Sequence, residues 1–183
     1  KRDVDGWTPV EVGTNEFASL RNNKDYKVAD GAFDNFIDDE QFLYDLKIAV
    51  DNKSFAPSFD KFKESLIYAN PISIITARGQ SPEVLRKGID LIISYTFSEE
   101  ELGKMIDNIQ QQFPELDGND PDDILKTYLD NQDYHPVTSS EFIEKFGTED
   151  QDATTPEESK KIALRDYVTK IVKGAGEMVN SNF

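Results

Sequence analysis

Pro71-Ile72-Ser73-Ile74-Ile75-Thr76-Ala77-Arg78-Gly79-Gln80-Ser81-Pro82 is an apolar run that stops at a small polar loop and restarts as a helix. The run from Ile72 to Thr76 is short and rich in β-branched residues, the pattern of a central strand covered on both faces in a parallel sheet. Gly79 allows a tight turn, and Ser81, Pro82 and Glu83 read as N-cap, first helical position and first-turn acid. Thr76 is thereby expected at the carboxyl end of the strand, facing a helix N-terminus. Open α/β sheets hold ligands at that edge, and free N–H groups there favour anions such as phosphate. Arg78, in the same loop, has a guanidinium suited either to clamping an anion through two hydrogen bonds or to pairing with one of the many acids.

Working outward, helical spacing dominates. Phe59, Phe62, Leu66 and Ala69 recur at three and four residues, so 58–69 reads as a helix capped by Ser58. After the strand, Leu85, Ile89, Ile92 and Thr96 line one side of a helix. Ser98 and Glu101 then form a capping box, opening another with Leu102, Met105, Ile106, Ile109 and Phe113 on one stripe. Asp120-Pro121 opens an element carrying Ile124, Leu125, Tyr128 and Leu129, and Thr138 with Glu141 reads as a second box before a helix over 142–146 that Gly147 stops. Upstream, Phe33, Phe36, Leu43, Leu46 and Val50 fall at near-helical spacing, Thr14 caps a brief helix through Leu20, and 7–12 reads as a short strand. Thr155-Pro156-Glu157-Glu158 opens a last helix, with Leu164, Val168, Ile171 and Val172 expected inward and Gly174 and Gly176 ending it. The acidic stretch 148–154 has no apolar periodicity and is expected to be a mobile loop.

A lone strand cannot satisfy its own backbone, so 72–76 needs neighbours. Either weak strands around Val10, Val28 and Val137 pair with it, or the chain is the middle of a longer α/β unit; the second is the reading adopted.

Composition narrows the function classes. The 183 residues carry 36 acidic and 20 basic side chains for a formal net charge of -16, which disfavours broad binding to a phosphate backbone. Cysteine is absent, which excludes disulfides, thiolate catalysis and zinc–sulfur sites and fits a reducing compartment. No apolar run approaches the roughly 20 residues of a membrane helix, and Lys1-Arg2-Asp3 is not the start of a secretory signal, so a cytoplasmic protein without membrane contact is expected. Asp38-Asp39-Glu40 and Asp120-Pro121-Asp122-Asp123 are read as helix-start or surface acids because they lack calcium-loop spacing. The only histidine, His135 in Tyr134-His135-Pro136, is read as a loop residue near a turn. Lys160 and Lys161 point about 100° apart on a helix, so only one can face a site.

Ile72-Ser73-Ile74-Ile75-Thr76-Ala77-Arg78-Gly79 resembles the second motif of haloacid-dehalogenase-like phosphohydrolases, an apolar strand ending in Thr or Ser, in the form found in microbial and phage members. Trp7-Thr8-Pro9-Val10-Glu11 with Thr14-Asn15-Glu16-Phe17-Ala18 is similar to the stretch following that family's nucleophile motif. Thr155-Pro156 through Lys160-Lys161-Ile162-Ala163 is similar to its lysine-bearing helix. The resemblance implies an α/β fold, a Rossmann-like parallel sheet flanked by helices with a largely helical insertion. It divides the chain into 1–98 and 156–183 as core and 99–155 as insertion and acidic loop.

The implied activity is a magnesium-dependent phosphohydrolase or phosphotransferase acting on a phosphorylated small molecule or protein, with no nucleic-acid partner. Thr76 would hydrogen-bond the transferred phosphoryl group, Lys160 or Lys161 would neutralise charge, and Arg78 and Gly79 would contact substrate. Asp3-Val4-Asp5-Gly6 is similar to the nucleophile loop, which makes Asp3 and Asp5 candidate metal ligands, while Asp and Gly by their own chemistry read here as a turn. The family's last motif, an acidic metal-binding loop after another strand, has no counterpart after Val172. The alternative is a non-catalytic scaffold of the same type, an acidic binding or structural protein such as a virion component.

Overall fold

The structure is a computed structural model that describes residues 1–3, 6–12, 20, 23–27, 29, 38–146 and 156–180, the side chains of Asp3 and of 175–180 excepted. It divides into two compact units, Lys1–Asn35 and Phe36–Phe183.

In the first unit, β1 (Arg2–Asp3) pairs antiparallel with β2 (Gly6–Trp7), Arg2 opposite Trp7 and Asp3 opposite Gly6. Gly6 has φ +128°, a conformation that side chains with a Cβ rarely adopt. Arg2 N–H donates to Asp25 O at 2.7 Å, and the Lys27 ammonium lies 5.0 Å from the Trp7 ring centroid. The strand expected over 7–12 is confined to its first residue. Residues 8–12 have no regular structure, and the helix expected over 14–20 falls almost wholly outside the described residues.

The second unit is mostly helical, with α1 (Asp39–Asp51), α2 (Phe59–Ile67), β3 (Ser73–Thr76), α3 (Pro82–Thr96), α4 (Glu99–Gln112), a 3-10 turn (Pro114–Leu116), α5 (Pro121–Asp130), β4 (Asp133–Pro136), α6 (Ser140–Phe146) and α7 (Pro156–Asn180). β3 and β4 run parallel with Ser73, Ile74, Ile75 and Thr76 opposite Asp133, Tyr134, His135 and Pro136. The three helices α3, α4 and α5 supply the crossover that a parallel pair requires. The chain just before Val137 is thus the partner of β3, and Val137 N–H extends the ladder to Thr76 O at 2.8 Å. Val10 is not in a strand, and Val28 lies outside the described residues.

Strand alternation sends neighbouring side chains to opposite faces. Ile72 and Ile74 pack into the larger cluster with Leu66, Ile89, Met105, Ile109, Tyr128 and Leu129, built by α2 to α5. Ile75 packs with Val137, Phe142, Phe146, Ile162 and Ala163 of the smaller cluster, built by α6 and α7. Both faces of β3 are therefore covered, as its apolar run requires. It is not central, however: all four residues are half-buried, and among the described residues β4 is its only strand neighbour. α1 and α3 approach closely at Gly88, where an added Cβ would come within 3.1 Å of both Leu46 Cδ2 and Phe42 Cε1.

The caps follow local chemistry, with instructive exceptions. Ser81, Ser98 and Asp120 each accept a backbone N–H at the start of α3, α4 and α5, and Ser98 with Glu101 completes the capping box. Ser58 does not cap α2, because its own backbone is helical (φ -85°, ψ -3°) and directs the hydroxyl elsewhere. At α6 the cap is Ser139, whose buried Oγ accepts from Phe142 N at 3.1 Å; the expected cap Thr138 donates instead to Ala77 O. In α3, Ile93 is buried where the expected stripe had Ile92.

The last helix departs most from expectation. Leu164, Val168, Ile171 and Val172 are exposed by 52%, 49%, 39% and 65%, while Ser159 and Ala163 are buried and Asp166 and Tyr167 half-buried. Small Ala163 lets the backbone approach the strands, and the polar side of the helix finds partners there: Tyr167 OH donates to Pro71 O at 2.8 Å and Lys170 pairs with Asp133. Gly174 and Gly176 do not end the helix, which runs on to Asn180; each interior glycine costs only about 1 kcal/mol against alanine. The expected mobile segment 148–154 lies outside the described residues.

Candidate functional site at the carboxyl ends of the parallel strands

The parallel register brings the two strand exits together. Thr76 and Pro136 are opposite one another, and Thr138 Oγ1 donates to Ala77 O at 3.0 Å across the loops that follow. Thr76 Oγ1 accepts the Arg78 backbone N–H at 3.2 Å, which leaves its own O–H available to donate. Gln80 is wholly buried with Nε2 on Asp38 O at 3.5 Å, so the far end of the loop is anchored beside the start of α1. The Arg78 guanidinium carbon stands 5.4 Å from the Phe42 ring centroid on α1.

These contacts decide how the loop could hold an anion. At the start of α3, Pro82 has no N–H and Ser81 Oγ takes that of Val84 at 3.3 Å. Donors for an anion therefore come from the loop amides, the Thr76 hydroxyl and Arg78 more than from the first turn of the helix. Arg78 and Gly79 are both half-buried within that loop.

The direction of α7 places its lysines. Tyr167 touches Pro71 at the start of the β3 segment, Lys170 pairs with Asp133 at the start of β4, and Ala163 shares a cluster with Val137 just past the end of β4, so α7 runs antiparallel to the strands and its amino end lies toward their exits. Ser159 and Ala163 mark the inward face. Helical geometry turns Lys160 about 60° from Ala163 and Lys161 about 160°, so Lys161 faces away and Lys160 flanks the inward side. Both lysines are exposed. Asp3 lies in β1 of the amino-terminal unit, and Asp5 is outside the described residues.

A second constellation forms between β4 and α7. Asp133, His135 and Asp166 offer ligand atoms all within 4.8 Å of one another. His135 is a buried strand residue rather than a loop one, with its ring edge-on to Phe142 and Phe146 at 5.9 and 6.0 Å. Lys170 pairs with Asp133 and, at 3.0 Å, with Asp166. Burial pushes the His135 imidazole below its ordinary pKa; the Lys170 charge adds to this, against Asp133 and Asp166. Burial also acts to lower Lys170, but hydrogen bonds to Asp133 and Asp166 outweigh it and hold the ammonium above its ordinary value. The sequence held two signals for this cluster: Asp133 and His135 at strand spacing, and Asp166 and Lys170 at i, i+4 on a helix. Its donors do not suit magnesium, a hard cation that prefers oxygen ligands and retained water over an imidazole.

An apolar hollow lined by Leu46, Val50, Phe55, Phe59, Phe62 and Ile92 lies between α1, α2 and α3. Ile92 is ten residues along α3 from Pro82, about 15 Å from the start of that helix. No helix among the described residues is long and apolar enough to cross a membrane. Compared with models of known protein families, with curated proteins and with solved structures, the chain matches none of them.

Proposed function

We propose that the chain belongs to a haloacid-dehalogenase-like, magnesium-dependent phosphohydrolase or phosphotransferase of the cytoplasm, with a Rossmann-like core to which β3 and β4 contribute. The observation that carries this reading is the parallel pairing that sets the Thr76–Ser81 loop beside the exit of β4, with the amino end of α7 directed toward the same edge. Covered parallel strands collect ligand-binding loops at this edge, and the loop offers backbone amides, a hydroxyl and a guanidinium to an anion.

In this proposal the substrate is a phosphorylated small molecule or protein. Thr76 donates its O–H to an equatorial phosphoryl oxygen, Arg78 and Gly79 hold the substrate, and Lys160, better turned than Lys161, neutralises developing charge. The nucleophilic aspartate and the magnesium ligands belong to the resemblance, which makes Asp3 and Asp5 candidate metal ligands. No step is assigned to them.

The second reading, a non-catalytic scaffold serving as an acidic binding or structural protein, is favoured by the exposure of both lysines at the start of α7. Magnesium-dependent hydrolysis of a phosphomonoester by the full-length protein separates the two. The enzyme reading expects turnover that falls roughly 10- to 1000-fold in Thr76→Ala and in Lys160→Met at unchanged stability, with Lys161→Met less affected. Absence of turnover in the wild type, or turnover indifferent to all three substitutions, favours the scaffold.

A further inference from the structure

Asp133 and His135 alternate on one side of β4, and α7 lays Asp166 and Lys170 against them. Among the described residues this is the one group of histidine and carboxylate side chains close enough to hold an ion. Acidic neighbours alone would only make an ion-pair network around Lys170. What distinguishes this cluster is His135: it is 4% exposed, and its Nε2 is buried without a hydrogen-bond partner. That nitrogen is aimed between the carboxylates, 3.9 Å from Asp133 Oδ1 and 4.0 Å from Asp166 Oδ2, too far to be satisfied by either. A buried imidazole without a partner is costly, and one that converges with two carboxylates has the makings of a ligand.

We propose that Asp133, His135 and Asp166 form a binding site for a borderline transition-metal dication of the zinc class, with Lys170 as a resident ammonium that the metal displaces. The donor set of one imidazole nitrogen and two carboxylate oxygens suits such a cation. Bonds of about 2.0–2.2 Å in a tetrahedral site put ligand atoms about 3.3–3.6 Å apart, so the site closes by less than about an ångström on the His135 contacts. Phe142 and Phe146 pack against the imidazole and restrict its rotation. Lys170 marks where positive charge is stabilised, and its long side chain, 45% exposed, can swing to solvent when a dication takes its place. The site spans Asp133 to His135 on the side of β4 that α7 covers, and it uses none of the residues of the proposed phosphate loop.

The test is a titration of the intact protein with zinc alone, against a chromophoric chelator, at fixed pH. One equivalent should bind, and His135→Gln and Asp166→Asn should each weaken binding at least about tenfold. Lys170→Met should tighten it by about tenfold, because a competing charge is removed; a cluster that is merely structural, or binding to scattered surface acids, would not respond in that direction. Should His135→Gln fail to fold, the wild-type imidazole 15N resonances serve instead: Nε2 must shift on addition of zinc and stay unmoved by excess magnesium. No stoichiometric binding, binding unchanged in Asp166→Asn and Lys170→Met, or an unmoved Nε2 resonance would each overturn the assignment.

Discussion

Thr138 Oγ1 donates to Ala77 O at 3.0 Å, a bond that ties the loop leaving β4 to the loop leaving β3. The contact spans 61 residues of sequence and closes the ladder one step beyond the Thr76–Pro136 pair. Thr138→Val keeps the shape of the side chain and removes the donor. It should cost about 0.5–1 kcal/mol, as for an exposed hydrogen bond, and speed amide exchange at 77–79. Unchanged exchange there would show that the two loops are not coupled through this bond.

Stability in acid should depend on Glu101. Its carboxyl is held below the ordinary glutamate range, first by the hydrogen bond from Lys63 on α2 and then by the Ser98 backbone N–H of the capping box. A folded-state pKa below the unfolded one gives stability that is present above about pH 4.3, the unfolded value, and is lost as pH falls through the folded one. Thermal unfolding should therefore show a shallower loss between pH 5 and about pH 3 in Glu101→Gln than in the wild type. Parallel curves would show that the α2–α4 bridge does not contribute.

Core substitutions separate the observed burial from the pattern visible in the sequence. Met105 is 0% exposed in the larger cluster, so Met105→Ala should cost about 2–5 kcal/mol. Ile74→Ala, on half-buried β3, should cost about 1–4 kcal/mol. Leu164→Ala, 52% exposed on α7, should change stability by less than about 0.5 kcal/mol in urea unfolding. A large loss at Leu164 with little at Met105 would reverse the assigned orientation of α7.

Much of this arrangement was legible because local chemistry and tertiary need agree. Ser81-Pro82 and Ser98-Glu99-Glu100-Glu101 announce helix starts, and the stripes of α4 and α5 bury the residues their spacing selects, Met105 and Ile109, Ile124 and Leu129. β4 was legible only as a weak strand near Val137, since Asp133-Tyr134-His135-Pro136 has no apolar run and forms a strand because β3 needs a partner. The orientation of α7 is not legible in its spacing, because its apolar stripe competes with a polar face that finds better partners on the strands. The same tertiary pairing hid the Asp133, His135 and Asp166 cluster, whose members come from two elements far apart in sequence. For the phosphate loop, Thr76, Arg78 and Gly79 were legible as one segment, but the preference for Lys160 over Lys161 required the orientation that Ala163 and Tyr167 impose.

The central claim, that the carboxyl ends of β3 and β4 form an anion site, is tested most directly by titrating the protein with inorganic phosphate and following backbone amide resonances. The account predicts saturable shifts centred on residues 76–81, extending to 138–140 and to Lys160, weakened in Thr76→Val and in Arg78→Gln. Shifts confined to other surfaces, or no saturable shift in the 76–81 loop, would contradict it.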